Sequence, residues 1–175
     1  MTEAQLSNAM DAYGSTVYRL ALTRMPNIAD AEDVYQEVFL RLWKQAAEDW
    51  DGDRAKAWLI RTTLNRCADL HRFHLRRPVL SFAEIPDLAQ PEDESRELWE
   101  AVSRLPEKAR TAVHLYYAEG YSAEEISQLM HIPAATVRTR LHRARKQLKE
   151  LLGGIDDETC VSRSDGTNFG PQRAE

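Results

Sequence analysis

Between Pro133 and Lys149 the chain carries six Arg and Lys residues and no acid. Stepped at about 100° per residue, Val137, Leu141, Ala144, Leu148, Leu151 and Leu152 fall on one side of a helix. Thr139, His142, Arg143 and Lys146 point away from that side. Arg138, Arg145 and Lys149 line one flank and Arg140 the other. A one-sign cationic face backed by an apolar stripe suits DNA, because the planar guanidinium fork can hold guanine or phosphate bidentately. A solvated coiled-coil face is the plainer alternative, but such faces mix both signs, and here no acid follows until Glu150. A second constellation, Cys67, His71 and His74, sits at i, i+4 and i+7, a spacing that offers three ligands to zinc or another soft metal. It has no evident fourth ligand. Two exposed or DNA-facing histidines beside a buried thiol is the competing expectation, so no metal or other cofactor is assigned.

The elements ahead of the basic helix position it. Pro106 starts a helix whose inner face is Ala109, Ala112, Val113 and Tyr116, and Gly120 ends it. Ser122 and Glu125 have the spacing of a capping box, opening a helix with Ile126, Leu129 and Met130 inward. His131 and Ile132 make a turn and Pro133 starts the basic helix. Helix, turn and basic helix together form a helix-turn-helix, in which the N-terminal part of the second helix meets base edges. That geometry assigns base reading to Arg138, Thr139 and His142. Phosphate contacts fall to Arg140, Arg143, Arg145 and Lys146.

Upstream, three longer helices are expected. The first spans about Ala4 to Met25 with a stripe of Leu6, Met10, Tyr13, Val17, Leu20 and Ala21, and Pro26 stops it. The second opens near Asp30, with Val34, Val38 and Leu42 inward and Phe39, Leu40 and Trp43 widening the stripe. The third starts near Arg54 and runs to about Arg76, sharing Ala57, Ile60, Leu64, Cys67 and His71 on one face. Residues 78–94 hold three prolines and many acids without a period, the composition of a flexible linker. A short helix over Glu97 to Leu105 follows it. The fold class is all-α: two small helical domains joined by a flexible linker, the second a helix-turn-helix. The domains are 1–77 and 96–152, with an acidic linker at 78–95 and a polar, disordered tail at 153–175.

A net charge of −5 conceals alternating blocks. Asn27 to Asp53 holds eight acids, Arg61 to Arg77 holds five arginines against Asp69, and Pro78 to Glu100 holds seven acids. Such blocks suggest separate surfaces for different partners. Two distant cysteines make no disulfide framework, and there is no apolar signal core or long uncharged span. A cytoplasmic protein without membrane insertion is expected. No Gly-rich phosphate loop, paired metal motif or nucleophile motif is present, so an enzyme is not expected.

Asp30 to Phe39 resembles the polymerase-binding helix of bacterial sigma factors, Ala57 to Asn65 resembles their promoter-melting helix, and Leu105 to Leu148 resembles their second DNA-binding domain. The small size, with only a linker between the halves, resembles the extracytoplasmic-function (ECF) sigma factors, over about Met1 to Leu152. The resemblance implies a specificity subunit of RNA polymerase that reads the −35 element as duplex and the −10 element melted. It implies docking on the β′ coiled-coil and contact with the β subunit of core polymerase. Asp33, Gln36 and Glu37 match polymerase-contacting positions, and Phe39, Leu40 and Trp43 would supply apolar contact unless they belong to the core. For −10 DNA, Arg61, Arg66, Arg72, Arg76 and Arg77 would track the backbone and Asn65 matches a base-touching position. The loop from Ala46 to Lys56 would hold a flipped base, where Trp50 is a stacking candidate unless it only packs at the helix–loop junction; Trp58 is expected in the core. An anti-sigma factor is the further partner implied, with the free chain a monomer. The rival reading is a conventional regulator with a sensing front half, which would bind a palindromic operator as a dimer without polymerase.

Overall fold

The computed structural model describes residues 2–45, 52–76 and 93–152. Seven helices make up these residues, with no strand among them: α1 (Glu3–Arg24), α2 (Ile28–Lys44), α3 (Gly52–Arg76), α4 (Asp93–Ser103), α5 (Glu107–Val113), α6 (Ala123–Met130) and α7 (Ala134–Leu151). Trp50, Arg77, most of the expected linker and the whole tail lie outside the described residues.

The first three helices begin a little earlier than the apolar stripes suggest, and polar caps set the starts of α1 and α2. Thr2 accepts from the Gln5 amide while the Gln5 side chain returns to the Thr2 backbone, a capping box that opens α1. Asn27 accepts from the Asp30 amide and starts α2 at Ile28, two residues ahead of Asp30. α3 begins at Gly52, whose carbonyl accepts from the Tyr13 hydroxyl at 3.0 Å, tying it to α1. α4 begins at Asp93, so the last three residues of the span expected as linker are helical.

Val17, Ala21, Val34, Val38, Leu42, Leu59 and Cys67 close a core among α1, α2 and α3. α1 and α2 come close at Gly14, where an added Cβ would sit 3.0 Å from the Tyr35 hydroxyl. Phe39 is buried, with its ring 4.8 Å from that of Tyr35. The sequence left Phe39 open between an outward contact and the core; it belongs to the core, packed with Val34, Val38 and Leu42.

Leu105, Ala112, Leu115, Ile126, Leu129, Val137, Leu141 and Ala144 form the second core, and Leu20, Ile60 and Leu64 of the first domain are buried in the same cluster. The two domains therefore pack on each other. α5 also departs from expectation: it widens into a π-helical turn over His114–Ala118, where the Glu119 amide reaches the His114 carbonyl at 3.2 Å. The extra residue in that turn rotates the chain and turns His114 and Leu115 inward. Gly120 follows at φ +77°, a conformation that suits glycine. Leu151, expected inward, is partly exposed at the end of α7.

Candidate nucleic-acid and polymerase interfaces

The outward face of α2 is built by helical spacing. Val34, Val38 and Leu42 turn into the core, which leaves Asp33, Gln36, Glu37, Leu40 and Trp43 along the opposite side. Leu40 is 53% exposed and Trp43 42%, an apolar end to an otherwise acidic strip. Arg41 donates to Glu37 at 2.9 Å, and this hydrogen bond holds the Glu37 carboxyl below its usual value. The face offers fixed negative charge beside an exposed aromatic, the composition of a protein-docking surface.

α3 carries a second surface. Leu59, Ile60, Thr63, Leu64 and Cys67 face inward, so Arg61, Asn65 and Arg72 stand exposed on the other side and Arg66 is half-buried. Arg72 is bonded to Asp69, one turn before it. Arg66, Asp69, Leu70, Arg72 and Phe73 line an open depression on this helix. Arg76 closes α3, and its side chain lies outside the described residues, as do Trp50 and Arg77 entirely. Trp58 is half-buried against the first core.

The helix-turn-helix has the expected caps. Ser122 accepts from the Glu125 amide, and Glu125 accepts from the Ser122 backbone at 2.8 Å. His131 takes the left-handed conformation at φ 52° and ends α6. Val137, Leu141 and Ala144 are buried beneath α7. Arg138, Thr139, His142, Arg143, Arg145 and Lys146 are exposed, and Arg140 is half-buried. Arg138 forms an ion pair with Glu124 of α6. The Thr139 hydroxyl donates to the Ala135 carbonyl at 2.9 Å. Charge on this face is five cations of α7 plus the paired Arg138, against no acid of the helix before Glu150.

The candidate metal constellation does not assemble. Cys67 is fully buried, and burial pushes its thiol up to about 12. His71 places Nε2 3.0 Å from the Arg24 carbonyl oxygen, and His74 places Nδ1 3.7 Å from Asp30. Among the described residues no three His, Cys, Asp or Glu side chains converge as a metal ion requires. The competing expectation of a buried thiol describes Cys67. No described helix is long and apolar enough to cross a membrane.

Sequence reasoning missed a polar cluster between the domains. Glu119 meets Lys56 at 2.8 Å, accepts from the Thr16 hydroxyl at 3.2 Å and lies 3.7 Å from His114 Nε2. Arg24 meets Glu107 at 2.7 Å on the same interface. The pairs of Glu119 with Lys56 and Thr16 and of Glu107 with Arg24 join residues far apart in sequence, and only the packing of the two domains brings them together. The Glu124–Arg138 pair was the more legible of the missed contacts, since the turn between α6 and α7 forces them close.

Comparison with known proteins matches both halves of the chain. The profile of Sigma-70 region 2 matches residues 9–77, and that of Sigma-70 region 4 matches residues 95–148. The chain is 34% identical over 161 residues to the ECF RNA polymerase sigma factor SigE of Mycolicibacterium smegmatis, covering 86% of this chain and 62% of that protein. It is 32% identical to the ECF RNA polymerase sigma factor SigM of Bacillus subtilis, covering 83% of this chain and 94% of the relative. Among solved structures, the fold is similar to the sigma factor RpoE of Bartonella quintana in complex with the anti-sigma factor NepR (TM-score 0.70, 24% identity, 85% and 97% of the two chains). It is also similar to CnrH in complex with the cytosolic domain of CnrY (TM-score 0.60, 25% identity, 87% and 90%).

Proposed function

Because this chain belongs to the extracytoplasmic-function family of bacterial RNA polymerase sigma factors, we propose that it binds core polymerase and selects promoters by reading two DNA elements. The observation that carries the reading is the pairing of two differently charged surfaces on successive domains. The acidic and apolar face of α2 suits a protein partner, and the cationic face of α7 suits duplex DNA.

In this reading Asp33, Gln36, Glu37, Leu40 and Trp43 dock on the β′ coiled-coil of core polymerase. The buried Phe39 supports that face from beneath without touching the partner. Arg61, Asn65, Arg66 and Arg72 of α3 hold the melted −10 strand, continued by Arg76, Arg77 and the loop that includes Trp50. Arg138, Thr139 and His142 read −35 bases, and Arg140, Arg143, Arg145 and Lys146 clamp phosphates. The domain limits we assign are 1–77 and 96–152. An anti-sigma factor is a further partner expected of this chain, as RpoE of Bartonella quintana is held in complex with the anti-sigma factor NepR. The chain acts as a binding subunit in the cytoplasm, and chemistry stays with the polymerase.

Footprinting tests this reading against a free-standing regulator. Protection of −35 and −10 segments only in the presence of core polymerase is the expected result. Protection of a palindrome by the purified chain alone would overturn it.

A further inference from the structure

We propose that Glu124 is a positioning residue for −35 recognition, whose carboxylate holds the Arg138 guanidinium in the orientation that reads a guanine. This rests on the sigma-factor reading above and deepens it, by naming what fixes one of its base readers.

Glu124 stands in the first turn of α6, between two neighbours with other tasks. Ala123 is buried, and Glu125 serves the capping box, its carboxylate accepting from the Ser122 backbone and hydroxyl. Glu124 takes no part in that cap. Its carboxylate accepts instead from Arg138 Nη2, across the turn between α6 and α7. Both ends of this contact are anchored, since Ala123 and Ile126 are buried on α6 and Val137 and Leu141 on α7. The two side chains are each 60% exposed, so the pair stands in solvent at the edge of the cationic face.

A pair this exposed adds little to stability. Nor does it favour DNA in general, because a carboxylate beside the α7 cations repels phosphates and offsets one of their charges. What it changes is the freedom of Arg138. An unrestrained arginine samples many rotamers and meets phosphates as readily as bases. Its own helix does not restrain it: Ala134 and Ala135 one turn before, and Leu141 and His142 one turn after, carry no carboxylate. The contact with Glu124 uses Nη2, and a guanidinium has further donors on Nε and Nη1, enough for the O6 and N7 of a guanine. A fork already oriented loses less entropy when it meets the base. Among the described residues Arg143 and Lys146, assigned to phosphates, have no carboxylate partner. A phosphate contact needs charge without a fixed orientation, and a base contact needs both.

The test uses holoenzyme, core polymerase with the full chain, on a promoter recovered from random DNA with each −35 base pair varied in turn. Wild type is expected to discriminate at a G·C pair that Arg138→Ala no longer distinguishes. Glu124→Gln keeps the size and removes the charge. It is expected to reduce discrimination at that same pair by about fivefold or more, leaving the other −35 pairs unchanged. Binding to non-specific duplex is expected to strengthen and to depend more steeply on salt. In the Arg138→Ala background Glu124→Gln should cost no further discrimination. Thermal melts of all variants should stay near wild type, because both sites are exposed. Undiminished discrimination in Glu124→Gln overturns the proposal. So does a loss that persists without Arg138, which would make Glu124 a contact in its own right. Wild-type holoenzyme with no preference among promoter sequences overturns the sigma-factor reading, and the positioning role falls with it.

Discussion

Glu124 and Arg138 face each other across the turn of the helix-turn-helix as an ion pair. Arg138 is the arginine nearest the N-terminus of α7, where base edges are met, so its fork is engaged by a carboxylate before DNA arrives. Both side chains are well exposed, and the pair contributes little to stability. Its consequence is for recognition. Arg138→Ala is expected to lose about 1–3 kcal/mol of discrimination between −35 sequences. Electrophoretic competition between promoter variants checks it; a uniform loss across sequences would demote Arg138 to a phosphate contact.

On α2 the structure separates docking from packing. Phe39→Ala should destabilise the fold by about 3–5 kcal/mol, because it empties a buried aromatic site. Leu40→Ala, at an exposed site on the same helix, should change stability by no more than about 0.5 kcal/mol. Urea melts of the two variants measure the contrast, and equal losses would contradict the placement of Phe39.

The outward partners on that helix should behave in the opposite way. Asp33→Ala with Glu37→Ala, and separately Trp43→Ala, should leave the melt near wild type. Each should weaken core polymerase binding, by about 1–2 kcal/mol for Trp43→Ala if it is an anchor. The acidic pair should lose most at low salt, where charge complementarity is least screened. Undiminished affinity in all of them would remove α2 from the interface.

How much of this was legible beforehand follows from what each element depends on. The helices, the capping box at Ser122 and the inward stripe of α7 from Val137 to Ala144 are local properties of spacing and capping, and the structure repeats them. The starts of α1 and α2 were set by Thr2 and Asn27, polar caps that apolar periodicity does not register. The π-helical turn was hidden because it inserts one residue into a helix whose residue types are ordinary helix formers. Phe39 lay at the edge of a wide apolar stripe, where only the neighbouring helix decides between core and surface. The candidate docking and DNA faces were legible as surfaces opposite predicted cores. The Glu119 cluster was not, since Lys56, Thr16 and His114 are joined by domain packing and share no local pattern.

His114 gives that packing a pH dependence. Its ring is buried, and burial holds its pKa below the ordinary histidine value. Glu119 opposes this shift, while Arg19 of α1 and Lys56 of α3 reinforce it. The unfolded chain therefore takes up the proton first as pH falls, so stability is full above the unfolded value of about 6.5 and declines below it. Urea melts between pH 8 and pH 5 should show this decline. His114→Gln should flatten it, and an unaltered slope would show that other groups govern the transition.

The central claim is that this chain confers promoter choice on RNA polymerase. In vitro transcription with core polymerase, the purified chain and a library of random promoter DNA measures it most directly. The expected result is a set of transcripts whose templates share one −35 motif and one −10 motif, lost on substituting Arg138 or the α2 face. Transcripts no different from those of core polymerase alone would contradict the account.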